Sequence, residues 1–278
     1  MIKAIKWDKY ILKFNRPLIM GILNVTPDSF SDGGKFLTFR NAVEHGERMA
    51  GEGADIIDIG GESTRPYSKP VSAEEEISRV IPVIKKLRKK ISVPISIDTY
   101  KSKVAEESLK VGANIINDIS ALRMDSEMGR IAAKYKIPII LMHMKGRPQN
   151  MQEKPCYKNL VSEIISFLQH RVESAKKEGI DENKIIVDPG IGFGKTVKHN
   201  LEIIRRLNEF KSLGRPLLIG PSRKSFIGKV LNLDVSQRLE GTAAAVAVCV
   251  WNGANIIRVH DVKEMKRVVD VTWEIYSE

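Results

Sequence analysis

The feature that most restricts the fold of this chain is an alternation, from residue 18 onward, of short apolar segments with longer stretches of helical periodicity. The apolar segments are nearly continuous in apolar character, which is typical of parallel strands buried on both faces. The stretches between them carry apolar residues at helical spacing, as at Val161, Ile164, Ile165 and Leu168. We predict strands at residues 18–23, 55–59, 94–97, 114–117, 138–142, 184–187, 216–219 and 255–259.

Three of the turns that lead from a helix into a strand share one signature. Gly53, Gly112 and Gly253 are each followed by Ala, then by Asp or Asn, then by two Ile residues. The glycine is expected to end a helix in the left-handed conformation. Because the signature recurs and no linker interrupts it, we predict a single α/β domain over residues 18–278, a (β/α)₈ TIM barrel. A doubly wound open sheet is the alternative.

Residues 1–17 precede the first predicted strand, and we expect them to be an N-terminal extension that forms a hairpin across the bottom of the barrel. Residues 1–10 mix Lys and Asp with apolar side chains and so lack the uninterrupted apolar stretch of a secretion signal. The longest strongly apolar run, residues 242–251, falls short of the roughly 18 residues of a membrane helix, so no membrane span is expected. Two scattered cysteines favour free thiols, and a cytoplasmic location is expected.

The charge balance predicts anionic ligands. The formal net charge is +11, which concentrates anions near the surface. Nucleic acid is not expected as a partner, since the longest basic cluster, residues 85–90, lies on a helical pattern and no basic block is interleaved with aromatic residues.

Polar residues follow nearly every predicted strand. In a β/α barrel the active site lies where the strands end and the helices begin, so these residues are the first candidates for function. They are Asn24, residues 60–66, Asp98, Asn117 with Asp118, His143, Asp188, residues 222–225, and Arg258 with His260.

Two of these residues, Asp98 and Asp188, would place carboxylates in a partly dry pocket, where each needs hydrogen-bond donors. A flat heterocycle with adjacent ring and exocyclic N–H groups would supply them, and Asn117 would add a donor and an acceptor. Each Asp could instead cap a helix or accept from backbone amides. Metal ligation is a third alternative, but the five histidines are scattered and complete no zinc set.

A second set of rim residues suits anions. Arginine matches phosphate geometry, and an Asn oxygen together with phosphate oxygens can complete the shell of a hydrated Mg²⁺. Arg65 could instead be a solvated loop charge, and His260 with Asp261 could cap a helix. The set is Asn24, Arg65, Lys224, Ser225, Arg258 and His260.

Two glycine-rich segments, residues 28–34 and 188–195, supply adaptable backbone near a ligand. Glycines of this kind are weak evidence when taken alone. The second segment lacks the Walker pattern and the dinucleotide-binding fingerprint.

Seven motifs together carry a family resemblance. They are NVTPDSFSDGG from Asn24, DIIDIGGESTRP from Asp55, ISIDTY from Ile95, MHMKGRPQNMQ from Met142, VDPGIGFGK from Val187, PSRKSFIG from Pro221 and RVHDV from Arg258. In this order, from about residue 18 to residue 262, they make the chain resemble the dihydropteroate synthase family of pterin-binding enzymes.

The resemblance implies a fold and an activity. The family has a (β/α)₈ barrel, is usually homodimeric and is the target of sulfonamides. It is a family of transferases that condense 6-hydroxymethyl-7,8-dihydropterin pyrophosphate with p-aminobenzoate to give 7,8-dihydropteroate and pyrophosphate in folate biosynthesis.

The resemblance also implies residue roles. Asp98, Asn117 and Asp188 would hold the pterin edge, with Lys224 reaching the ring and Met142 packing beside it. The pyrophosphate would be bound by Asn24, together with Mg²⁺, and by Arg258 and His260. The p-aminobenzoate pocket would be bordered by Phe30, Thr64, Arg65, Pro66, Phe193 and Ser225. The residues implied to be catalytic are Lys224, Asp98, Arg258, His260, Asp32 and Arg65.

The loops beginning at Val25 and Gly60 are lids in this family, so Asp32 and Arg65 would act once both loops close. Departures from the family pattern are Tyr67 in place of a usual glycine, Pro221 before Ser222, and Asn159 in place of a common aspartate. Alternative functions are a methyltransferase that passes a methyl group from methyltetrahydrofolate to a corrinoid protein, and a non-catalytic binding protein for anionic ligands.

Overall fold

The computed structural model describes residues 2–26, 34–64, 66 and 68–277. Within these residues the chain alternates strands and helices along most of its length. The strands are β1 (Ala4–Trp7), β2 (Tyr10–Lys13), β3 (Leu18–Asn24), β4 (Ile56–Gly60), β5 (Ile95–Asp98), β6 (Ile115–Asp118), β7 (Ile139–Met142), β8 (Ile185–Asp188), β9 (Leu218–Ile219) and β10 (Ile256–Val259). The α-helices are α1 (Gly34–Gly51), α2 (Ala73–Leu87), α3 (Ser102–Lys110), α4 (Met128–Tyr135), α5 (Leu160–Lys177), α6 (Val197–Arg205), α7 (Ser225–Leu231), α8 (Leu239–Trp251) and α9 (Val262–Ser277).

Strands β3 to β10 form one parallel sheet in the order β8-β7-β6-β5-β4-β3-β10-β9. A parallel bridge between Val187 of β8 and Leu217, just before β9, joins the two ends of this order. The N–H of Val187 also donates to the carbonyl of Pro216 over 3.0 Å. The sheet therefore closes on itself, which confirms the predicted (β/α)₈ barrel and excludes the open sheet.

The N-terminal residues form the predicted hairpin. Strands β1 and β2 pair antiparallel, with Trp7 opposite Tyr10. Ile5, Trp7 and Leu12 are buried in the main hydrophobic core. A cavity between the hairpin and the starts of the barrel strands is lined by residues of both, including Leu18. The hairpin thus covers the end of the barrel where the strands begin.

The glycine signature has a structural explanation. Gly53, Gly112 and Gly253 have φ angles of 100°, 120° and 88°, so all three adopt the predicted left-handed conformation. The Asp or Asn two residues later accepts a hydrogen bond from a backbone N–H at the start of the neighbouring strand. These bonds join Ile19 N to Asp55 Oδ2 (2.8 Å), Ile95 N to Asn114 Oδ1 (3.0 Å) and Leu217 N to Asn255 Oδ1 (2.8 Å). Each signature therefore ends a helix and ties its strand to the next one.

Five of the eight barrel strands end one residue later than predicted, and this changes where the polar residues lie. Asp98 and Asp188 are the last residues of β5 and β8, whereas the sequence placed them after the strands. The parallel ladders hold them there, since Gly60 pairs with Asp98 and Met142 pairs with Asp188. The predicted strand 216–219 is shorter than expected because Pro216 has no N–H to donate. Because Asp98 and Asp188 belong to paired strands, the sheet holds their backbone in place at the end of the barrel.

The helices pack one face on the barrel, as their periodicity predicts. In α2, Val80, Val83 and Ile84 are buried. The apolar helix α8 buries Val246 and Cys249, while its Trp251 is 54% exposed. Among the described helices, none combines the length and the apolar character needed to cross a membrane.

Candidate active site

A pocket opens at the end of the barrel where the strands terminate. Its floor is the last inward-facing residue of several neighbouring strands, and its wall comes from the loops after β8 and β9. The lining residues are Asp98, Asn117, Ile119, Met142, Asp188, Ile191, Phe193, Gly220, Lys224 and Arg258. All five residues that the resemblance assigns to the pterin therefore face one pocket, together with Arg258 and Phe193.

Arg258 is held at the pocket floor by two carboxylates. Its Nε donates to Asp58 Oδ2 over 2.6 Å, and its Nη2 donates to Asp98 Oδ2 over 2.7 Å. Asn117 Nδ2 donates to the same Asp58 oxygen over 3.0 Å. Asp58 is fully buried, so it orients both Arg258 and Asn117 from below the ligand position.

Asp58 was not among the site residues predicted from the sequence. The residue lies inside the predicted strand 55–59, which we read as nearly continuous apolar. A carboxylate within a strand buried on both faces needs a partner, so this interruption was the signal that pointed to Asp58.

The two pocket carboxylates have raised pKa values. Burial raises the pKa of Asp98 to about 7, against the lowering effect of Arg258 and with the added repulsion of Asp58. Burial also raises the pKa of Asp188 to about 6, opposed by a hydrogen bond from Gly190 N (2.7 Å) and by Lys224. Asp98 Oδ1 is buried and has no hydrogen-bond partner among the described residues. A ligand N–H at this oxygen would satisfy it and favour the ionised form.

Lys224 stands at the wall of the pocket, directly before α7. Its ammonium lies 4.5 Å from the centre of the Phe193 ring, within range of a cation–π contact. The preceding residue, Arg223, is fixed by two hydrogen bonds to Asp261, at 2.6 and 2.8 Å. Lys224 is thus placed by an anchored turn, and Ser225 next to it is exposed.

His260 lies beside the pocket and contacts Ser222. Its Nδ1 is 3.0 Å from Ser222 Oγ, and its backbone N–H donates to the same oxygen over 3.2 Å. Burial, with Arg258 and Lys224 nearby, lowers the pKa of His260 to about 3, so the imidazole is neutral before any anion binds. Asp261 stands directly before α9, where its carbonyl oxygen accepts from Met265 N over 3.0 Å, while its carboxylate is engaged by Arg223.

Only some of the residues that the resemblance assigns to the pyrophosphate and the amine lie among the described residues. Asn24 ends β3 opposite Gly60 and is half-buried, Thr64 is half-buried and Pro66 is exposed. Phe30, Asp32 and Arg65 lie outside the described residues, as do Tyr67 and most of the first predicted lid loop. The described residues contain no group of three or more His, Cys, Asp and Glu side chains able to hold a metal ion.

Two other rim residues serve the structure. Asp118 accepts hydrogen bonds from Ser120 N (2.8 Å) and Leu122 N (2.7 Å), so it shapes the turn after β6. His143 is buried against Lys195, with 2.9 Å between His143 Nδ1 and the lysine Nζ. Neither lines the pocket.

The chain matches known proteins over nearly its whole length. The family described as pterin binding enzymes matches residues 20–260. The dihydropteroate synthase of Clostridium beijerinckii is 50% identical over 258 residues, which cover 92% of this chain and 93% of that protein.

Solved structures agree with this match. The Yersinia pestis dihydropteroate synthase, in a complex with a sulfonamide drug, has a TM-score of 0.94 and 44% identity, covering 99% of this chain and 100% of that one. The Xanthomonas albilineans dihydropteroate synthase with 4-aminobenzoic acid has a TM-score of 0.91 and 42% identity, with 96% of each chain covered. This chain therefore belongs to the dihydropteroate synthases, the pterin-binding transferases that join a pterin to p-aminobenzoate in folate biosynthesis.

Proposed function

We propose that the pterin ring of 6-hydroxymethyl-7,8-dihydropterin pyrophosphate binds in the pocket between Asp98, Asn117 and Asp188. The observation that carries this proposal is that Asp98, Asn117 and Asp188 line one pocket, in which Asp98 Oδ1 lacks a partner among the described residues while Arg258 occupies the other oxygen. Ring and exocyclic N–H groups would donate to the two carboxylates, and Met142 would pack on the ring face. Lys224 would contact the ring from the wall formed with Phe193.

The pyrophosphate would lie above Arg258 and beside His260. Arg258 donates two hydrogen bonds to Asp58 and Asp98, and its guanidinium carries five N–H donors, so it can serve the phosphate without leaving the carboxylates. His260 binds Ser222 through Nδ1, which leaves Nε2 as the nitrogen that would face the anion.

The donor set fits Mg²⁺. Mg²⁺ commonly takes one or two protein oxygens, and water and substrate phosphate complete its six positions. The side-chain amide oxygen of Asn24, half-buried at the end of β3, would be such a ligand. When bound, the ion would neutralise charge on the pyrophosphate. The test is to remove Mg²⁺ with a chelator and then add it back. Turnover should be lost and then recovered.

The chain's own residues account for the reaction by positioning and by charge. Arg258 and His260 would stabilise negative charge on the departing pyrophosphate, so the bond between the pterin CH₂ carbon and oxygen breaks early. Asp98 and Asp188 would stabilise the resulting cation. The aryl amine then adds to that carbon and releases a proton to solvent or pyrophosphate, which requires no strong enzymic base.

The amine would bind at the outer side of the pocket. Phe193 forms the described wall, and Thr64, Pro66 and Ser225 lie at the rim, while Phe30, Asp32 and Arg65 would complete the site from loops outside the described residues. Related synthases form complexes with 4-aminobenzoic acid and with a sulfonamide drug, which supports an aryl amine as the second substrate. A sulfonamide should compete with p-aminobenzoate and not with the pterin substrate.

The direct test is release of pyrophosphate that depends on p-aminobenzoate when the protein is mixed with the pterin pyrophosphate and Mg²⁺. Formation of 7,8-dihydropteroate should accompany it. A parallel reaction with methyltetrahydrofolate and a corrinoid protein should show no methyl transfer. Methyl transfer without amine-dependent product would overturn the proposal in favour of the alternative function.

We also infer a homodimer built on the face of α8 and α9. Five large apolar side chains are 40% exposed or more on these two helices, an arrangement that favours burial against a second copy. The rings of Trp251 and Tyr276 are in edge contact, 5.6 Å between centres. The five residues are Val248, Trp251, Val271, Ile275 and Tyr276.

Light scattering should report a dimer, and Trp251→Glu should convert it to a monomer. The matched control is Ile11→Glu, because Ile11 is also exposed, at 42%, but lies on the N-terminal hairpin and not on α8 or α9. A monomeric wild-type protein would overturn the dimer.

We also propose a cytoplasmic location. It is supported by the free cysteines Cys156 and Cys249, and cell fractionation tests it.

A further inference from the structure

The glycine-rich segment 188–195 packs backbone against backbone with the segment that follows β7. Gly190, Gly192 and Gly194 have φ angles of 72°, 84° and 66°. A Cβ on Gly190 would lie 2.0 Å from the carbonyl oxygen of His143, and one on Gly194 would lie 2.5 Å from that of Lys145. These glycines are therefore required for close contact, which the sequence pattern alone did not reveal.

Lys195 lies at the centre of this contact and is only 3% exposed. Its Nζ donates to the carbonyl oxygen of Phe193 over 2.9 Å and to that of His143 over 3.4 Å. The same Nζ is 2.9 Å from His143 Nδ1. One buried ammonium thus links the loop after β8 to the segment after β7.

The protonation state of His143 fits this arrangement. Burial first, and Lys195 second, lower the pKa of His143 to about 2, with Arg123 and Lys145 acting in the same direction. The neutral ring can therefore accept a hydrogen bond from Lys195 through Nδ1. Burial lowers the pKa of Lys195 to about 7, opposed by Asp188 and assisted by Lys224.

Lys195 itself does not line the pocket, but Phe193 does. The carbonyl that it binds belongs to Phe193, whose ring lies 4.5 Å from the Lys224 ammonium. Phe193 also packs with Ile119 and Met142 in a small apolar cluster beside the pocket. The contact thus reaches the pterin site in two steps, from the Lys195 ammonium to the Phe193 backbone and from the Phe193 ring to Lys224.

We propose that Lys195 is a positioning residue of the active site, which ties the Phe193 carbonyl to His143 and thereby holds the Phe193 ring against Lys224 for binding of the pterin. The proposal rests on the pocket being the pterin site. It assigns Lys195 no contact with the substrate and no proton transfer.

The test uses Lys195→Met in the full chain, with calorimetric binding of 6-hydroxymethylpterin and steady-state kinetics. The dissociation constant should rise about tenfold or more, and the KM for the pterin substrate should rise more than the KM for p-aminobenzoate. Lys198→Met is the matched control, since Lys198 is exposed on the next helix, and its dissociation constant should stay within about twofold of the wild type.

A double-mutant cycle separates positioning from general structural damage. If Lys195 acts through Phe193, then Lys195→Met combined with Phe193→Leu should weaken pterin binding by about as much as the larger single effect. A double variant whose loss equals the product of the two single losses would overturn the proposal.

Lys195→Met leaves buried carbonyl oxygens without a donor, so a second variant protects the test against misfolding. His143→Leu removes only a neutral acceptor, and it should weaken pterin binding about threefold or more with unchanged circular dichroism. Wild-type affinity in a folded Lys195 or His143 variant would overturn this inference while leaving the proposed function intact. A wild-type protein that binds no pterin would overturn both.

Discussion

In the described part of the barrel, two clusters each have one basic side chain that bridges two largely buried carboxylates. In the pocket cluster, Arg258 binds Asp58 and Asp98 at 2.6 and 2.7 Å. In the loop cluster, Lys101 binds Glu62 and also binds Glu76 at 2.5 Å. Each cluster has one positive charge, two carboxylates and at least one carboxylate that is almost fully buried.

The two clusters differ in what surrounds them. The pocket cluster lies on the inward faces of β4, β5 and β10, and Asp98 opens toward the ligand position. The loop cluster is closed by protein, since Tyr100 donates to Glu62 Oε1 over 2.7 Å and Val71 N lies 3.4 Å from Glu62 Oε2. Glu62 is thereby fixed at the base of the loop that leads to Thr64.

Two buried clusters with the same number of positive and negative side chains can therefore have different roles. The planar fork of Arg258 holds two carboxylates and keeps further donors for a ligand, whereas the compact ammonium of Lys101 contacts the two glutamates and lies outside the pocket. We therefore expect the pocket cluster to control catalysis and the loop cluster to control stability.

The largest effect should come from the pocket residues. Asp98→Ala and Lys224→Ala should each lower kcat/KM at least about a hundredfold, because both remove charge that faces the substrate. The fold should stay intact, as judged by circular dichroism and thermal unfolding. Near-normal turnover in either folded variant would remove that residue from the site and weaken the contrast between the clusters.

Lys101→Met should instead reduce stability. The change leaves Glu62 and Glu76 buried without their cation, and because Lys101 is 16% exposed we expect a loss of about 2 kcal/mol, below the range for fully buried pairs. Urea unfolding measures the loss, and kcat/KM of the folded protein should stay within about threefold of the wild type.

The control for Lys101→Met is Lys103→Met. Lys103 pairs with Glu74, but both side chains are more than 60% exposed. Its unfolding free energy should change by less than about 1 kcal/mol. Equal losses of unfolding free energy in the two lysine variants would show that burial of the loop cluster adds no stability beyond that of an exposed ion pair.

The sequence predicted the parts of the molecule that follow local rules. Alternating apolar segments specify the barrel, and Asp98 and Asp188 are recognisable because they end apolar strands. The loop cluster could not be predicted in this way, because Lys101 meets Glu62 and Glu76 only after the chain has folded. Asp58 is recognisable as the one carboxylate inside an apolar strand. No sequence pattern distinguishes Lys195 from a surface lysine.

The pocket cluster should also respond to pH in its binding of ligand. The pKa of Asp98 is about 7 and that of Asp188 about 6 in the free protein, both raised mainly by burial. Pterin N–H groups bind the ionised carboxylates, so protonation competes with binding at low pH. Because both carboxylates must lose their protons, affinity for 6-hydroxymethylpterin should rise about a hundredfold between about pH 5.5 and 7.5, as calorimetry would show.

Asp98→Asn should bind the pterin more weakly and should lose most of this dependence on pH. A wild-type affinity that stays constant over the same range would mean that the carboxylates are already ionised in the free protein. It would also remove the distinction between a cluster that opens to the ligand and one that is closed.

The smallest effect should come from Glu76→Gln in the loop cluster. Burial raises the pKa of Glu76, and Lys101 opposes this shift. Lys101 keeps Glu62 when Glu76 becomes neutral, so the unfolding free energy should stay within about 1 kcal/mol of the wild type and kcat/KM within about twofold. Since the pKa of the folded state exceeds that of the unfolded state, the wild type loses stability relative to the variant as pH rises above about 4.5. Urea unfolding at acidic and neutral pH measures this difference, and the opposite trend would show that the Lys101 ion pair outweighs burial at Glu76.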